Sequence, residues 1–356
     1  MKKKVLFLGQ LPEEVSPSQR FRIEAYKDLM KRNGIEYYFQ PFISRRYLPF
    51  LYKKGHLFRK ILAVVHGFVL RTAGLFRYAG VDYVFVQREA SPVGPPVFEW
   101  IYAKLLRKKL IYDFDDAIWI PNVTEGNQLA GYFKAYWKIK KICSWAHKVS
   151  AGNAFLAAYA ARFNRSVVLN PTCVDTEKKY NSQADHDAVP LTIGWTGSHS
   201  TLQFFVLAVP ALKKLEQQYR FRLLVICNQK PEVDLQSMEY IEWNKEREIE
   251  DLCKIHIGIM PLKTDAWSEG KCGFKIIQYL SLGIPAVASP VGVNSQIIDE
   301  GINGFIAQTE EEWIAALTEL LTNAEKRKQF GAHGRQKIRA NYSVQANSKT
   351  FLSLFD

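Results

Sequence analysis

The sequence predicts an α/β fold of two doubly wound parallel-sheet domains. Three observations carry this. Short apolar runs alternate with segments of helical periodicity from the first residues onward. The same rhythm restarts after a polar stretch near the midpoint. The 356 residues, 47% of them hydrophobic, exceed one ordinary domain and supply apolar material for two cores.

Val5–Leu8 reads as a buried strand ending at Gly9, and it is too short for an export signal despite Lys2–Lys4 before it. Residues 18–32 predict a helix, with Phe21, Ala25, Leu29 and Met30 on its apolar face and a stop at Asn33-Gly34. Strands follow at 35–39, 82–86 and 109–112. The last of these ends in the acidic cluster Asp113-Phe114-Asp115-Asp116. Helices are expected at 96–107, 131–146 and 154–163, and strands at 148–150 and 167–169. Residues 171–190 are polar and read as an interdomain linker.

The second half opens with a strand at 191–195, a turn at 196–200 and a helix over 201–219. Strands at 222–227, 240–243, 257–260, 286–289 and 304–306 alternate with helices at 246–254 and 274–282, and the remainder is helical. Two successive α/β units imply a cleft, with ligands at the carboxyl ends of the strands.

Net charge is +13, unevenly placed. Residues 1–180 carry 30 Lys and Arg against 14 Asp and Glu; residues 181–356 carry 18 against 21. No acidic residue lies between Tyr37 and Val81, where Arg45, Arg46, Lys53, Lys54, Arg59, Lys60, Arg71 and Arg77 interleave with aromatic residues including Tyr52. Residues 45–78 therefore predict a segment lying on an anionic membrane surface; the competing reading is a helix pair with solvated lysines. Five scattered cysteines with no CxxC pair argue against a disulfide framework or zinc site and for a reducing compartment. The sequons at Asn122 and Asn164 are then chance matches.

Four segments could carry chemistry. The loop from Trp267 to Lys275 would place the backbone N–H groups of Gly273 and Phe274 at a helix N-terminus, a setting that favours phosphate, with Lys271 and Lys275 adding charge. Gln278, one turn on, could reach a ribose. Taken alone, this segment also reads as a loop and a core helix with two exposed lysines. Thr196-Gly197-Ser198 follows a strand and opens a helix, a second phosphate-friendly start. Asp113, Asp115 and Asp116 could be general bases, hydroxyl acceptors or metal ligands, or a helix cap with surface acid. Arg20 and Arg22 could clamp a phosphate or carboxylate, and Arg88 is similar in kind; all three could equally be solvated.

No Walker loop, HExxH, GxSxG, zinc-spaced Cys/His set or dinucleotide GxGxxG occurs, which counts against an NAD-dependent oxidoreductase. Together, Ser18–Arg22, Tyr112–Trp119, Ser150–Asn153, Asn170–Asp175, Ile193–Ser198, Gly273–Gln278, Gly283–Ser289 and Asn303–Ala307 resemble the GT-B glycosyltransferases of family 4, also called group 1. The resemblance spans nearly the whole chain and is most specific from Ile193 to Ala307.

The resemblance implies an acceptor-binding Rossmann-like domain over 1–175 and a nucleotide-sugar-binding one over 176–341. Residues 342–356 would then form a helix crossing back to the first domain. It implies a retaining transferase acting in the cleft, with a nucleotide-diphosphate-sugar as donor substrate and neither cofactor nor metal. Binding energy would stabilise the diphosphate leaving group. The sequence departs from the pattern where the family has an E-x7-E pair. Gln278 stands at the second position and Gly270 at the first, with Glu269 beside it as a sugar-binding carboxylate. Gln296 also replaces a frequent Glu, and Trp195 and the residues around Thr201 stand in place of an Arg and a Lys. With the basic first half, this points to a lipid-linked or cell-surface glycan acceptor and a cytoplasmic enzyme on the inner face of the membrane. An epimerase-like or inactive GT-B protein and a nucleic-acid-binding protein are the alternatives. Nucleic acid is not expected, since it leaves the paired phosphate loops unexplained.

Overall fold

The computed structural model describes residues 2–51, 53, 55–121 and 134–356. Tyr52, Lys54, the Asn122 sequon and the first part of the helix expected from Gly131 lie outside the described residues. The chain divides into two units, one of Met1–Thr172 with Asn347–Asp356, the other of Cys173–Ala346.

Among the described residues, the first unit is built on a six-stranded parallel sheet. Its strands are β1 (Lys3–Gly9), β2 (Ile35–Pro41), β3 (Tyr83–Gln87), β4 (Lys109–Phe114), β5 (Lys148–Ala151) and β6 (Val167–Leu169), in spatial order β2-β1-β3-β4-β5-β6. Val5, Leu6, Phe7 and Leu8 are all fully buried, as expected for a parallel strand covered on both faces. Strand order reverses between β1 and β3, so loops leaving their carboxyl ends diverge and open a crevice there. The closing segment Asn347–Asp356 belongs to this unit: Phe351 stacks on Tyr26 at 4.0 Å, and Phe355 meets Tyr83 at 5.7 Å.

The helix expected over 18–32 is broken into Pro17–Arg22, a 3-10 turn Glu24–Tyr26 and Lys27–Arg32. Phe21, Ile23 and Tyr26 are all buried. In one continuous helix Phe21 and Ile23 would point to opposite faces, so the break at Ile23 is what turns both inward. The helix at 96–107 is shorter, Val97–Trp100, and runs into a π-helical turn Ile101–Leu105.

The basic stretch forms a 3-10 turn, Arg45–Tyr47, a short helix, Leu48–Leu51, and a long helix, Leu57–Arg77. Its inner face is Ala63, Gly67, Arg71 and Gly74. Gly67 has no room for a side chain, since a Cβ would stand 2.5 Å from the Phe42 ring. Arg71 is fully buried and donates to the carbonyls of Gly9 (2.7 Å), Gln40 (2.7 Å) and Ala90 (2.8 Å). One guanidinium thus ties the ends of β1 and β2 and the loop after β3 to the helix. Burial pulls the Arg71 pKa down to about 10.

Among the described residues, the second unit repeats the plan. Its strands are β7 (Thr192–Thr196), β8 (Arg222–Cys227), β9 (Met238–Glu242), β10 (Ile257–Met260), β11 (Ala286–Ala288) and β12 (Gly304–Ile306), in order β12-β11-β10-β7-β8-β9. All neighbouring pairs are parallel, and the order reverses between β10 and β7. Ile193, Val225, Ile257, Ile259 and Val287 from the sheet pack with Leu212, Leu215, Leu317 and Leu320 from covering helices. The helix expected over 201–219 is four short pieces, the last being Val209–Glu216 with Pro210 in its first turn. Of the polar stretch 171–190, expected as a linker, all but the first two residues belong to the second unit. Tyr180, Ala184 and His186 anchor it there as buried residues. The five cysteines are free thiols, four of them buried.

His186 and His256 are both buried, with ring centroids 6.2 Å apart. The Thr192 N–H donates to His256 Nδ1 (3.0 Å), which requires that nitrogen unprotonated. Burial, then His186 and Arg327, push the His256 pKa down to about 4. A histidine depressed in the folded state stabilises the fold above its ordinary pKa and loses that contribution on acidification. Stability of the protein is therefore expected to fall between about pH 6.5 and 4, by up to about 1.4 kcal/mol per pH unit for one proton. Thermal melts at stepped pH check this. His256→Asn, which keeps an acceptor for Thr192, is expected to flatten the profile; an unchanged slope refutes it.

Candidate functional site

In the second unit the candidate phosphate-binding elements meet at the switch point. Thr196 ends β7, and its N–H donates to the Tyr279 hydroxyl at 2.9 Å. Tyr279 lies on helix Phe274–Ser281, whose N-terminus carries Gly273, Phe274 and Lys275. Lys275 Nζ sits 5.5 Å over the Trp195 ring, beside the end of β7, and acts electrostatically on Cys227 at the end of β8. The Thr196–Ser198 loop and the Gly273–Lys275 turn are thus neighbours, tied by one hydrogen bond and one cation–π contact. Gly273 is required there: its φ is +65°, and a Cβ would stand 2.2 Å from Ile297 Cδ1. Lys271 Nζ lies 5.1 Å over the Trp267 ring.

Four of the candidate residues make hydrogen bonds of their own within the unit. Ser198 and Thr201 form a capping box around a 3-10 turn, His199–Thr201, so their groups bond each other first. The helix pieces after it are short, which leaves little dipole for a phosphate. Gln278, expected at a ribose, is buried and donates to the Tyr180 hydroxyl at 2.7 Å. Glu269 accepts from the Gly292 N–H at 3.2 Å, bracing its own loop against the one after β11.

In the first unit Arg22 and Asp113 face each other in the interior, both side chains at 0% exposure. Arg22 Nε donates to both Asp113 oxygens (3.0 and 2.8 Å), and its other nitrogens reach the Asn170 carbonyl (2.9 Å) and Ser150 Oγ (3.2 Å). Ser150 Oγ in turn donates to Asp113 (2.6 Å). Burial pushes the Asp113 carboxyl up, opposed by Arg22 and Ser150. This network joins helix Pro17–Arg22 to the ends of β4, β5 and β6. It absorbs Arg22, expected as a phosphate clamp, and Asp113, expected as a catalytic carboxylate. Arg20 is also buried, its guanidinium 5.0 Å over the Phe21 ring.

Asp115 and Asp116 are the carboxylates that retain access to solvent, with side chains 11% and 15% exposed. Arg88 binds both, through Nε to Asp115 Oδ1 (2.9 Å) and through a terminal nitrogen to Asp116 Oδ2 (2.5 Å). The same guanidinium donates to Ser18 Oγ (2.8 Å), which donates to Asp115. Burial alone would raise the Asp115 carboxyl; Arg88, Arg22 and Ser18 outweigh it and hold it below the ordinary range. The two aspartates likewise outweigh burial at Arg88 and raise its pKa. Arg88 has φ +64°, a left-handed backbone that costs a non-glycine residue about 1–3 kcal/mol. Its N–H donates to the Asp113 carbonyl (2.7 Å), which holds it in that conformation.

The sequence marks Arg88 as a candidate but not its strained backbone, gives Ser18 no role and does not mark Tyr279. Ser18 carried a usable signal, a hydroxyl two residues before Arg20 at a strand-to-helix turn. Tyr279 carried none, because its partner Thr196 is 83 residues away.

The comparisons with known proteins bear on these sites. Residues 190–323 match the family described as Glycosyl transferases group 1. This segment is a group 1 domain. Spore coat protein SA of Bacillus subtilis (strain 168) is 28% identical over 80 residues, which cover 22% of this chain and about a fifth (21%) of that relative. A sucrose-phosphate synthase from Thermosynechococcus elongatus superposes with TM-score 0.69 at 13% identity, covering 100% of this chain and 98% of that one. HepE of Anabaena, in a structure with UDP and glucose, superposes with TM-score 0.65 at 12% identity, covering 99% of each chain. The resemblance read from the sequence therefore holds: the fold is GT-B, and its second unit carries the group 1 domain.

Proposed function

We propose that this protein is a glycosyltransferase that takes a sugar from a nucleotide-diphosphate-sugar held by the group 1 domain. One observation carries the reading: Lys275 and the Gly273-opened helix stand against the Thr196–Ser198 loop at the switch point of that domain. Thr196, Gly197, Ser198, Lys271, Gly273, Phe274 and Lys275 form the diphosphate site, with Glu269 bracing its loop. Lys271 and Lys275 meet the charge that develops on the leaving group, so the reaction is read as metal-independent. Retention of anomeric configuration accompanies the group 1 resemblance. On the first unit, Asp115, Asp116 and Arg88 face the acceptor. The HepE complex supports UDP as the probe. A rise in melting temperature with millimolar UDP, lost in Lys275→Ala, tests the reading.

The acceptor is read as a lipid-linked or cell-surface glycan, and the protein as cytoplasmic and peripheral on an anionic membrane. The outer face of helix Leu57–Arg77 supports this. Phe58 is 72% and Phe76 80% exposed, and Leu57, Ile61, Val65 and Val69 join them on an outward apolar stripe. Arg45, Arg46, Lys53, Arg59 and Lys60 accompany it, with no acid between Tyr37 and Val81. Among the described residues, no helix is long and apolar enough to cross a membrane. Arg45→Glu, Arg46→Glu and Lys53→Glu together are expected to cost roughly a hundredfold in partition onto phosphatidylglycerol vesicles, at about 1 kcal/mol per basic residue. Unchanged co-sedimentation refutes the reading.

A further inference from the structure

Two short helices of the first unit each leave one face uncovered. In Val97–Trp100 and the π turn that continues it, Phe98, Glu99 and Tyr102 turn inward, while Val97, Trp100, Lys104 and Leu105 turn outward. The π turn is closed by the Leu106 N–H donating to the Ile101 carbonyl at 2.8 Å, and it holds one more residue than an α-helical turn. Lys104 and Leu105 therefore both follow Trp100 at one-turn spacing. In the second helix, Lys138–Trp145, residues Ile139, Ile142 and Cys143 are buried, while Trp137 at its start, Lys140 and Lys141 are exposed. Trp100 is 44%, Trp137 47% and Leu105 64% exposed. The two helices pack against each other. Lys138 locks them: it pairs with Glu89 at 2.6 Å and donates to the Ser91 carbonyl at 2.8 Å, in the loop that leads to Val97.

Neither the core nor the reaction as described uses these two indoles. Charge says what they meet. The sequence has no acidic residue between Glu99 and Asp113, or between Glu125 and Asp175. Glu99 itself is buried and accepts from the Ala90 N–H at 2.8 Å. The polar groups of Trp100, Lys104, Trp137, Lys140 and Lys141 are donors only, since neither an ammonium nor an indole N–H has a lone pair to offer. A sugar ring also needs acceptors for its hydroxyl protons, and this surface supplies none. A layer of lipid phosphodiesters is anionic and accepts only, which is the complementary chemistry. Indoles settle at the headgroup level, with the ring body out of water and the N–H at the polar side. Lys141 Nζ, 5.0 Å over the Trp137 ring, sets charge and apolar body side by side.

We propose that Trp100, Leu105 and Trp137, flanked by Lys104, Lys140 and Lys141, are a second membrane anchor, seated in the headgroup layer of an anionic bilayer. This rests on the membrane reading above and adds a contact outside helix Leu57–Arg77. The two contacts lie on adjacent elements: Phe98 meets Phe68 of the long helix with ring centroids 6.0 Å apart. Two anchors fix which way the unit faces the bilayer, whereas one helix leaves it free to roll about its own axis.

The test uses the full chain and vesicles of phosphatidylglycerol with brominated phosphatidylcholine, whose bromine atoms quench indoles seated among the lipids. Tryptophan emission is expected to fall on binding, and the fall to shrink at least twofold when Trp100→Phe and Trp137→Phe are combined. Both residues are exposed, so that variant should keep the melting temperature of the wild type. Lys104→Glu, Lys140→Glu and Lys141→Glu together are expected to cost roughly a hundredfold in partition onto phosphatidylglycerol vesicles. If the wild type sediments with vesicles but quenching is unchanged in the tryptophan variant, or partition is unchanged in the lysine variant, this anchor is overturned and helix Leu57–Arg77 remains the membrane contact. A wild type that does not sediment with the vesicles overturns both readings. A blue shift of the two indoles with polyglutamate and none with vesicles overturns the anchor in favour of an acidic protein partner.

Discussion

Lys275→Ala is expected to weaken UDP binding by roughly 10- to 100-fold, the range for one hydrogen bond to a charged group worth about 1.5–3 kcal/mol. Lys275 is half-buried over Trp195, so the substitution removes a cation–π contact of about 0.5–1 kcal/mol from the fold. In a unit of this size that lowers the melting temperature by no more than about 4 °C. The two effects separate cleanly in titration calorimetry and a thermal melt of the same sample. The binding loss should also shrink as salt rises, because part of it is charge on charge. A UDP affinity within twofold of wild type would remove Lys275 from the site and leave the loop at Thr196 without its cation. Tyr279 makes the expectation sharper. Its hydroxyl holds the Thr196 N–H, and its helix carries Lys275, so the lysine is mounted on the element that also fixes the opposing loop. Losing the charge leaves that mounting intact, which is why the fold should tolerate the change.

The strands were legible because parallel sheets are buried on both faces, and runs such as Val5–Leu8 and Ile257–Met260 leave little other reading. The helices were legible in place but not in continuity. Pro210 offered a signal for the break before Val209–Glu216, since proline belongs in the first turn of a helix; nothing in residues 18–32 announced the break at Ile23. At the candidate site, local pattern found Gly273 and Lys275, where loop, glycine and helix are contiguous. It could not sort Asp113 from Asp115 and Asp116, because that difference is made by Arg22, 91 residues away. Gln278 shows the same limit. A helical position one turn beyond Lys275 looked free to meet a ribose, and Tyr180, 98 residues distant, occupies it. Such long-range pairings decide which polar residues are available to a ligand, and periodicity does not encode them.

Arg22→Met is expected to cost about 3–5 kcal/mol of stability, because it strands the Asp113 charge in the interior. For a unit of this size that is a fall in melting temperature of at least about 6 °C. The obvious rescue is removal of the partner. Arg22→Met with Asp113→Leu replaces the ion pair by apolar groups, an exchange that is often close to neutral. Here it should recover only part of the loss, since the Ser150 O–H would then lose its acceptor and the Asn170 carbonyl its donor. A double-mutant cycle measured by denaturant unfolding is therefore expected to show strong coupling between Arg22 and Asp113, with a double variant that stays below wild type. If instead Arg22→Met melted like wild type and lost only activity, Arg22 would be a ligand clamp and Asp113 would have another counterion. The cycle thus separates an interior strut from a substrate contact at the one pair of charges where sequence pattern favoured neither.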